Sequence, residues 1–244
     1  MNNIIAVVLA GGYGTRIKHL LPGIPKPMAM VAGKPFLEWV VRYLKTQGIA
    51  KVIISTGYLA EVIKQHFQHQ PVEGVEIICC QEMQPLGTGG GFLNAVQQIG
   101  ILPSAWLVLN GDSLLFTRLD SLTTHLLDPK LSGVILGLSV DDTTRYGSLV
   151  CNQTGVLVKF AEKHPGVGII NAGVYLLKNS LLKEFPHNYP LSFEHEIFPA
   201  LLAKNISFKV HITDAPFLDI GTPESLPKAE GFILQNLDRF DFVC

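Results

Sequence analysis

Charge is scarce in this sequence and nowhere concentrated. Lys and Arg number 19 against 20 Asp and Glu, a net charge of −1, and charged residues make up only 16% of the chain. With no basic stripe or acidic run, the electrostatic footprint of a nucleic-acid or anionic-membrane binder is missing. Long hydrophobic runs are absent as well, since none approaches the roughly 18 residues of a membrane span. The N-terminus enters an apolar stretch without the basic segment and small-residue cleavage site of a signal peptide, so a cytoplasmic location is expected. The four cysteines have no metal or redox spacing: Cys79 and Cys80 adjoin in an apolar run, and Cys244 is terminal. They read as buried structural thiols. His66 and His69 form an H-x-x-H pair with no cysteine beside it, which reads as solvated rather than zinc-bound.

Two familiar glycine motifs are also missing. After Val7-Val8-Leu9-Ala10 comes Gly11-Gly12-Tyr13-Gly14-Thr15-Arg16. No Gly-Lys-Ser/Thr follows these glycines, so the loop is not a P-loop. Ile17 stands where a dinucleotide fingerprint needs its third glycine, and the next strand, Val52 to Thr56, ends without an acid for a ribose.

What is present is an apolar strand running into a loop suited to an anion. Glycines let backbone N–H groups approach phosphate oxygens without Cβ interference. Arg16, and Lys26 in Pro25-Lys26-Pro27, add charge, the first as a fork and the second as a point charge. Hydrophobic residues at 48% of 244 give a generous core. Apolar strands alternate with amphipathic helices through the first half, predicting an α/β fold: a Rossmann-like, mixed, mostly parallel sheet with helices on both faces.

The first helix begins at Gly33-Lys34-Pro35, with Pro at the first turn, and ends at Gly48, with Phe36, Leu37, Val40, Val41 and Leu44 on one stripe. Leu59, Val62, Ile63 and Phe67 mark a short helix, and Val75 to Cys79 a third strand. Pro85-Leu86-Gly87-Thr88-Gly89-Gly90-Gly91-Phe92 reads as a second glycine-rich turn, opening a helix that reaches about Gln98. A loop of this kind lays flat backbone against a nucleobase. Glu82 and Gln84, just upstream, are placed to read the base edge.

Asp112 closes the run from Trp106. A carboxylate leaving a buried strand either caps a turn or holds a metal. Beyond residue 130, Val134–Val140, Gly147–Cys151 and Val156–Phe160 are short strands with turns between them, an antiparallel portion of the same sheet. No linker separates the halves, so one domain is expected over 1–244, split at about residue 130. Asn171 is the one amide in an apolar strand. Asp219 is a second isolated acid, followed by Thr222 as N-cap and Pro223 at the first position of a C-terminal helix. Two lone acids from distant hydrophobic strands find their simplest common purpose in one divalent cation. Pro199 kinks or divides a helix over 193–202, whose Glu194 and Glu196 read as ordinary exposed acids. The apolar tail, 237–244, packs on the body or on a second subunit.

Leu9-Ala-Gly-Gly-x-Gly-Thr-Arg with Pro-Lys-Pro ten residues on resembles the sugar-1-phosphate nucleotidyltransferase family, with the GT-A-like fold that this implies. The later motifs are most similar to its D-glycero-D-manno-heptose 1-phosphate guanylyltransferases. The resemblance implies Mg²⁺ on Asp112 and Asp219, with Arg16 and Lys26 completing the catalytic set. Leu9, Ala10, Gly11, Gly12, Gly14, Thr15, Glu82, Gly87, Thr88 and Gly111 then bind nucleotide, and Glu162, Lys163 and Asn171 bind the sugar phosphate. His164 displaces the family's usual proline after its Glu-Lys pair. The implied substrates are a nucleoside triphosphate, GTP foremost, and a sugar 1-phosphate, D-glycero-D-manno-heptose 1-phosphate foremost. Uracil or thymine, and mannose or an amino sugar, remain open. So do two other classes. A nucleotide-binding regulatory relative would have lost Arg16, Lys26 or the acids, and a glycosyltransferase would more often show Asp-x-Asp where this chain has Asp112-Ser113-Leu114.

Overall fold

The computed structural model describes residues 3–161, 165–186 and 189–240. The first strand, β1 (Ile4–Ala10), is apolar on both faces: Ala6, Val8 and Ala10 enter one core, Ile5 and Val7 the other. Such a strand is stable only when sandwiched between helical layers. β2 (Met30–Val31) and β3 (Lys34–Pro35) form a hairpin over Ala32 and Gly33, both at positive φ, as a two-residue turn of matching twist requires. α1 (Phe36–Thr46) follows directly. β4 (Lys51–Thr56), α2 (Ala60–His69), β5 (Glu76–Gln81), α3 (Gly87–Ile99) and β6 (Ala105–Asn110) complete an alternating β/α half.

The chain then turns back through β7 (Ser113–Leu115) and α4 (Asp120–His125). β8 (Leu131–Val140), β9 (Ser148–Cys151), β10 (Leu157–Ala161) and β11 (Gly168–Lys178) form the antiparallel portion. A π-helical turn at Phe193–Ile197 leads into α5 (Phe198–Ala203). β12 (Ser207–Thr213), β13 (Phe217–Asp219) and α6 (Ala229–Gln235) end the described fold.

Nine strands form one mixed sheet. β5, β4, β1 and β6 run parallel in that order, β11 joins β6 antiparallel, β9 and β10 continue past it, and β8 joins β11 to β12. Residues of α1, α2, α4 and α6 pack on one face, and those of α3 and α5 on the other. The chain leaves β1 for β4 on one side and returns to β6 on the other, so β1 and β6 flank a topological switch point, with Leu9 opposite Asn110. Ligand crevices of open α/β sheets lie beyond the carboxyl ends at such a point.

Five expectations need correction. Gly33, Lys34 and Pro35 do not open the first helix: Gly33 is in the hairpin turn, Lys34 and Pro35 form β3, and α1 starts only at Phe36. Gly89, Gly90 and Gly91 lie inside α3 rather than in a turn before it. They are small for packing: a Cβ on Gly89 would sit 2.2 Å from Ile197, and one on Gly90 2.9 Å from Tyr189. Thr222 and Pro223 begin a turn, in which the Ser225 N–H donates to the Thr222 hydroxyl at 3.3 Å, and α6 starts only at Ala229. His66 is not solvated, because its Nε2 pairs with the buried Glu38 carboxylate at 2.9 Å. Cys79 and Cys151 are only half-buried, whereas Cys80 is buried.

Elsewhere the patterns hold. Pro199 stands at the start of α5, and the helix divides there into π and α segments. The tail packs on the body as far as Phe240, whose ring meets Trp39 and Phe116 edge-on.

Candidate active site

Three cavities meet at the switch point. The first, about 350 Å³, has Leu9, Ala10, Gly11, Gly12 and Gly14 on one wall and Glu82, Gly87 and Thr88 on the other. Glycine is required here by contact. A Cβ on Gly11 would lie 2.0 Å from Glu82 Oε1, and Gly14, at φ +58, brings its backbone against the Lys26 stem. Burial pushes the Glu82 carboxyl up, opposed by the Leu86 N–H, which donates to Oε2 at 3.3 Å. Gln84 lines an adjoining hollow that shares Glu82. Thr88 bridges inward as well, its hydroxyl accepting from the Phe193 N–H at 3.0 Å. Thr15 is exposed and borders none of the three cavities. Gly111 is buried behind the wall, its N–H donating to the Leu9 carbonyl at 2.9 Å.

Asp112 and Asp219 line one cavity of about 140 Å³ together with Arg16, Lys26 and Asn171. Backbone pairing brings the two acids there. Asp219 stands opposite Ser113 in the β7–β13 ladder, and the Ile220 N–H donates to the Asp112 carbonyl at 2.9 Å. Lys26 forms an ion pair with Asp112. Burial raises the Asp219 carboxyl, and the charge of Asp112 raises it further, while the Gly221 N–H, Lys26 and Arg145 pull it back. Two mutually repelling carboxylates in one pocket are a hard-oxygen donor set that a dication relieves. Mg²⁺ is commonly bound by one or two carboxylates plus substrate phosphates, so these residues fit such an ion. Among the described residues no group of three or more His, Cys, Asp or Glu is placed to hold a metal.

The third cavity, about 780 Å³, opens where β6 ends and β9 begins, and Arg16, Asn110, Tyr146 and Asn171 line it together with Arg145 and Glu194. A bulge in β11 shapes its floor. The register shifts between Asn171 and Tyr175, and Gly173 sits at φ +69, where any Cβ would meet Asn110 Nδ2 at 2.3 Å. Arg16 therefore faces the second and third cavities rather than the first. Glu162 and Lys163 lie outside the described residues.

Four lining residues were not singled out in the sequence. Asn110 reads there as the end of a strand. Arg145 and Tyr146 stand in an irregular turn, yet burial and the charge of Asp219 together push the Tyr146 phenol up. Glu194 is no ordinary exposed acid. It is half-buried, and its Oε1 accepts from the Tyr175 hydroxyl at 2.8 Å and from Asn171 Nδ2 at 3.3 Å. The only signal was Ser192 two residues earlier, which caps the π-turn.

The family model described as Nucleotidyl transferase matches residues 5–236. A D-glycero-alpha-D-manno-heptose 1-phosphate guanylyltransferase of Campylobacter jejuni is 36% identical over 221 residues, covering 90% of this chain and 95% of that protein. A mannose-1-phosphate guanylyltransferase of Mycobacterium tuberculosis is 31% identical, over 97% of this chain and 66% of that protein. The crystal structure of HddC from Yersinia pseudotuberculosis superposes with a TM-score of 0.81 at 38% identity, covering 93% of this chain and 98% of that one. A second HddC structure, complexed with GMP-PN, matches at 37% identity with a TM-score of 0.80 over the same shares. By its family match, its sheet and these relatives, the chain belongs to the nucleotidyl transferase family and is a sugar-1-phosphate nucleotidyltransferase.

Proposed function

We infer that the protein joins GTP to D-glycero-D-manno-heptose 1-phosphate, giving the GDP-sugar and pyrophosphate. The observation that carries this is the position of the Asp112–Asp219 pocket, which shares Lys26 and Asp112 with the cavity of the glycine loop and Arg16 and Asn171 with the larger cavity. Guanine and heptose are favoured by the Campylobacter relative and by the GMP-PN complex of HddC.

A phosphate monoester has a second pKa near 6. The attacking oxygen is thus already ionised at neutral pH, and no general base is needed. The remaining work is electrostatic, since one anion must approach another and charge must be neutralised on the leaving group. Lys26 serves the α-phosphate, the Gly11–Gly14 amides and Arg16 the departing pyrophosphate, and Asn171 the sugar. Asp112 and Asp219 would hold Mg²⁺, which supplies charge neutralisation across phosphate oxygens when bound. The nucleotide and sugar-phosphate halves, about 1–130 and 131–244, form one domain in this reading.

Mannose 1-phosphate is the second candidate acceptor, favoured by the Mycobacterium relative. Pyrophosphate release measured with four triphosphates against several sugar 1-phosphates, with and without Mg²⁺, decides both base and sugar. The greatest kcat/KM is expected for GTP with the heptose phosphate. No release with any pair would overturn the reading.

A further inference from the structure

The third cavity holds charges beyond that of the catalytic Arg16. Arg16 and Arg145 bring two guanidinium groups to it. Arg145 belongs to the side near Asp219, as its Nη2 donates to the Thr222 hydroxyl at 3.4 Å and its charge bears on Asp219. A carboxylate, Glu194, borders the same cavity from the π-turn. A fixed carboxylate repels phosphate and welcomes hydroxyl donors, so a sugar phosphate entering here has one favourable direction.

Glu194 is held for this task. The Ser192 hydroxyl donates to its Oε2 at 2.8 Å, and that same oxygen atom of Ser192 accepts from the Glu194 N–H at 3.1 Å. Oε1 takes the buried Tyr175 hydroxyl at 2.8 Å, and Tyr175 in turn accepts from Asn171 Nδ2 at 2.7 Å. Burial first, and then the Glu194 charge, keeps the Tyr175 phenol protonated and hence a donor. A carboxylate has about four lone-pair positions, and these three donors do not exhaust them. π-Turns recur at functional sites because they re-aim one side chain out of helical register. The segment is fixed to the nucleotide wall by the Leu191 carbonyl, which accepts from the Gly89 N–H at 2.8 Å.

We propose that Glu194 is a specificity-determining residue that accepts hydroxyl groups of the sugar 1-phosphate while Arg145 takes its phosphate. This rests on the transferase reading above and names which chain group reads the sugar. Binding of D-glycero-D-manno-heptose, mannose and glucose 1-phosphates is measured by calorimetry without GTP, on the wild type, Glu194→Gln and Tyr175→Phe. The best-bound sugar phosphate is expected to weaken at least about tenfold in Glu194→Gln, the usual scale for one charge-assisted hydrogen bond, and its advantage over the worst to shrink. Tyr175→Phe, which leaves the carboxylate in place, is expected to keep the ranking.

Equal weakening of all three sugars in Glu194→Gln, an unchanged affinity, or the same loss of ranking in Tyr175→Phe would each overturn the proposal and leave Glu194 as a prop for Tyr175 and Asn171. Turnover with GTP is scored separately. Selective binding without pyrophosphate release would count against the transferase reading while supporting this one.

Discussion

The Ile220 N–H donates to the Asp112 carbonyl at 2.9 Å, and that bond carries the neighbouring Asp219 carboxylate to the pocket that Asp112 lines. Residues more than a hundred positions apart thus become one acidic site through backbone pairing. The arrangement has a cost. The folded-state pKa of Asp219 is raised above its ordinary 3.8, by burial first and the Asp112 charge next. Because the native state then binds the proton more tightly than the unfolded chain, stability falls as pH rises through the window between 3.8 and the raised value. Above that window, burial and the nearby Asp112 charge both count against the fold at Asp219.

Asp219→Asn is therefore expected to raise the melting temperature at pH 7 by about 2–4 °C per kcal/mol of repulsion removed, while turnover falls by orders of magnitude. Thermal unfolding and pyrophosphate release on the same preparation check both halves. A lowered melting temperature would refute the repulsion argument, and retained turnover would refute the site.

Mg²⁺ should stabilise the wild type, since binding the native state alone adds RT ln(1 + [L]/Kd), about 2.7 kcal/mol at 100 times Kd. In Asp112→Asn the Mg²⁺-dependent rise in melting temperature is expected to vanish. Lys26→Ala should keep that rise, yet lose about 10²–10³ in kcat, the scale for one electrostatic contact at the reacting centre. Retention of the Mg²⁺ response in Asp112→Asn would move the ion elsewhere.

The glycine loop and the strand–helix alternation of the first half were legible because a two-faced apolar strand and a glycine run signal themselves locally. Asp112 and Asp219 were legible as solitary carboxylates in apolar runs. Their shared pocket depends on a β7–β13 ladder of three residues each, too short for any periodicity to announce. Glu194 was read as exposed because a helix of normal pitch would give it no distinct direction. The π-turn changes that pitch, and the turn is specified by tertiary contacts with Gly89, Gly90 and Thr88. Thr222-Pro223 carried a correct local signal, a cap and a first-turn proline, but it was satisfied by a single turn ahead of α6.

Two glycines of the nucleotide cavity should respond differently to alanine. At Gly11 the new methyl meets Glu82 Oε1, the free end of a side chain, at 2.0 Å. Glu82 can swing away, so Gly11→Ala is expected to fold normally and raise the KM for GTP about tenfold or more. At Gly87, φ is +77 and the methyl meets the Leu191 carbonyl at 2.4 Å, where only backbone can yield. Gly87→Ala is expected to lose more than about 2 kcal/mol of stability. Melting curves together with KM measurements separate the two, and equal melting losses would contradict the distinction.

Glu38 borders none of the three cavities. It lies buried on α1 and accepts from Arg42 Nε at 2.8 Å and His66 Nε2 at 2.9 Å, with Lys34 Nζ at 3.3 Å, thereby tying α1 to α2. Burial pushes its carboxyl up, but the hydrogen bonds from Arg42 and His66 and the nearby cations outweigh this and hold it below the ordinary 4.5. A carboxylate with a depressed folded pKa contributes stability that is present above its unfolded pKa and lost as pH falls through the folded value. Glu38→Gln is expected to cost about 1–3 kcal/mol at neutral pH, reduced by solvent screening of the half-exposed Arg42 and Lys34. The melting-temperature difference from wild type should hold from pH 7 down to about 4.5 and narrow below it, where the wild-type carboxylate is itself protonated. A difference that stays constant down to pH 3 would show that lost packing, and not the charge of Glu38, connects the two helices.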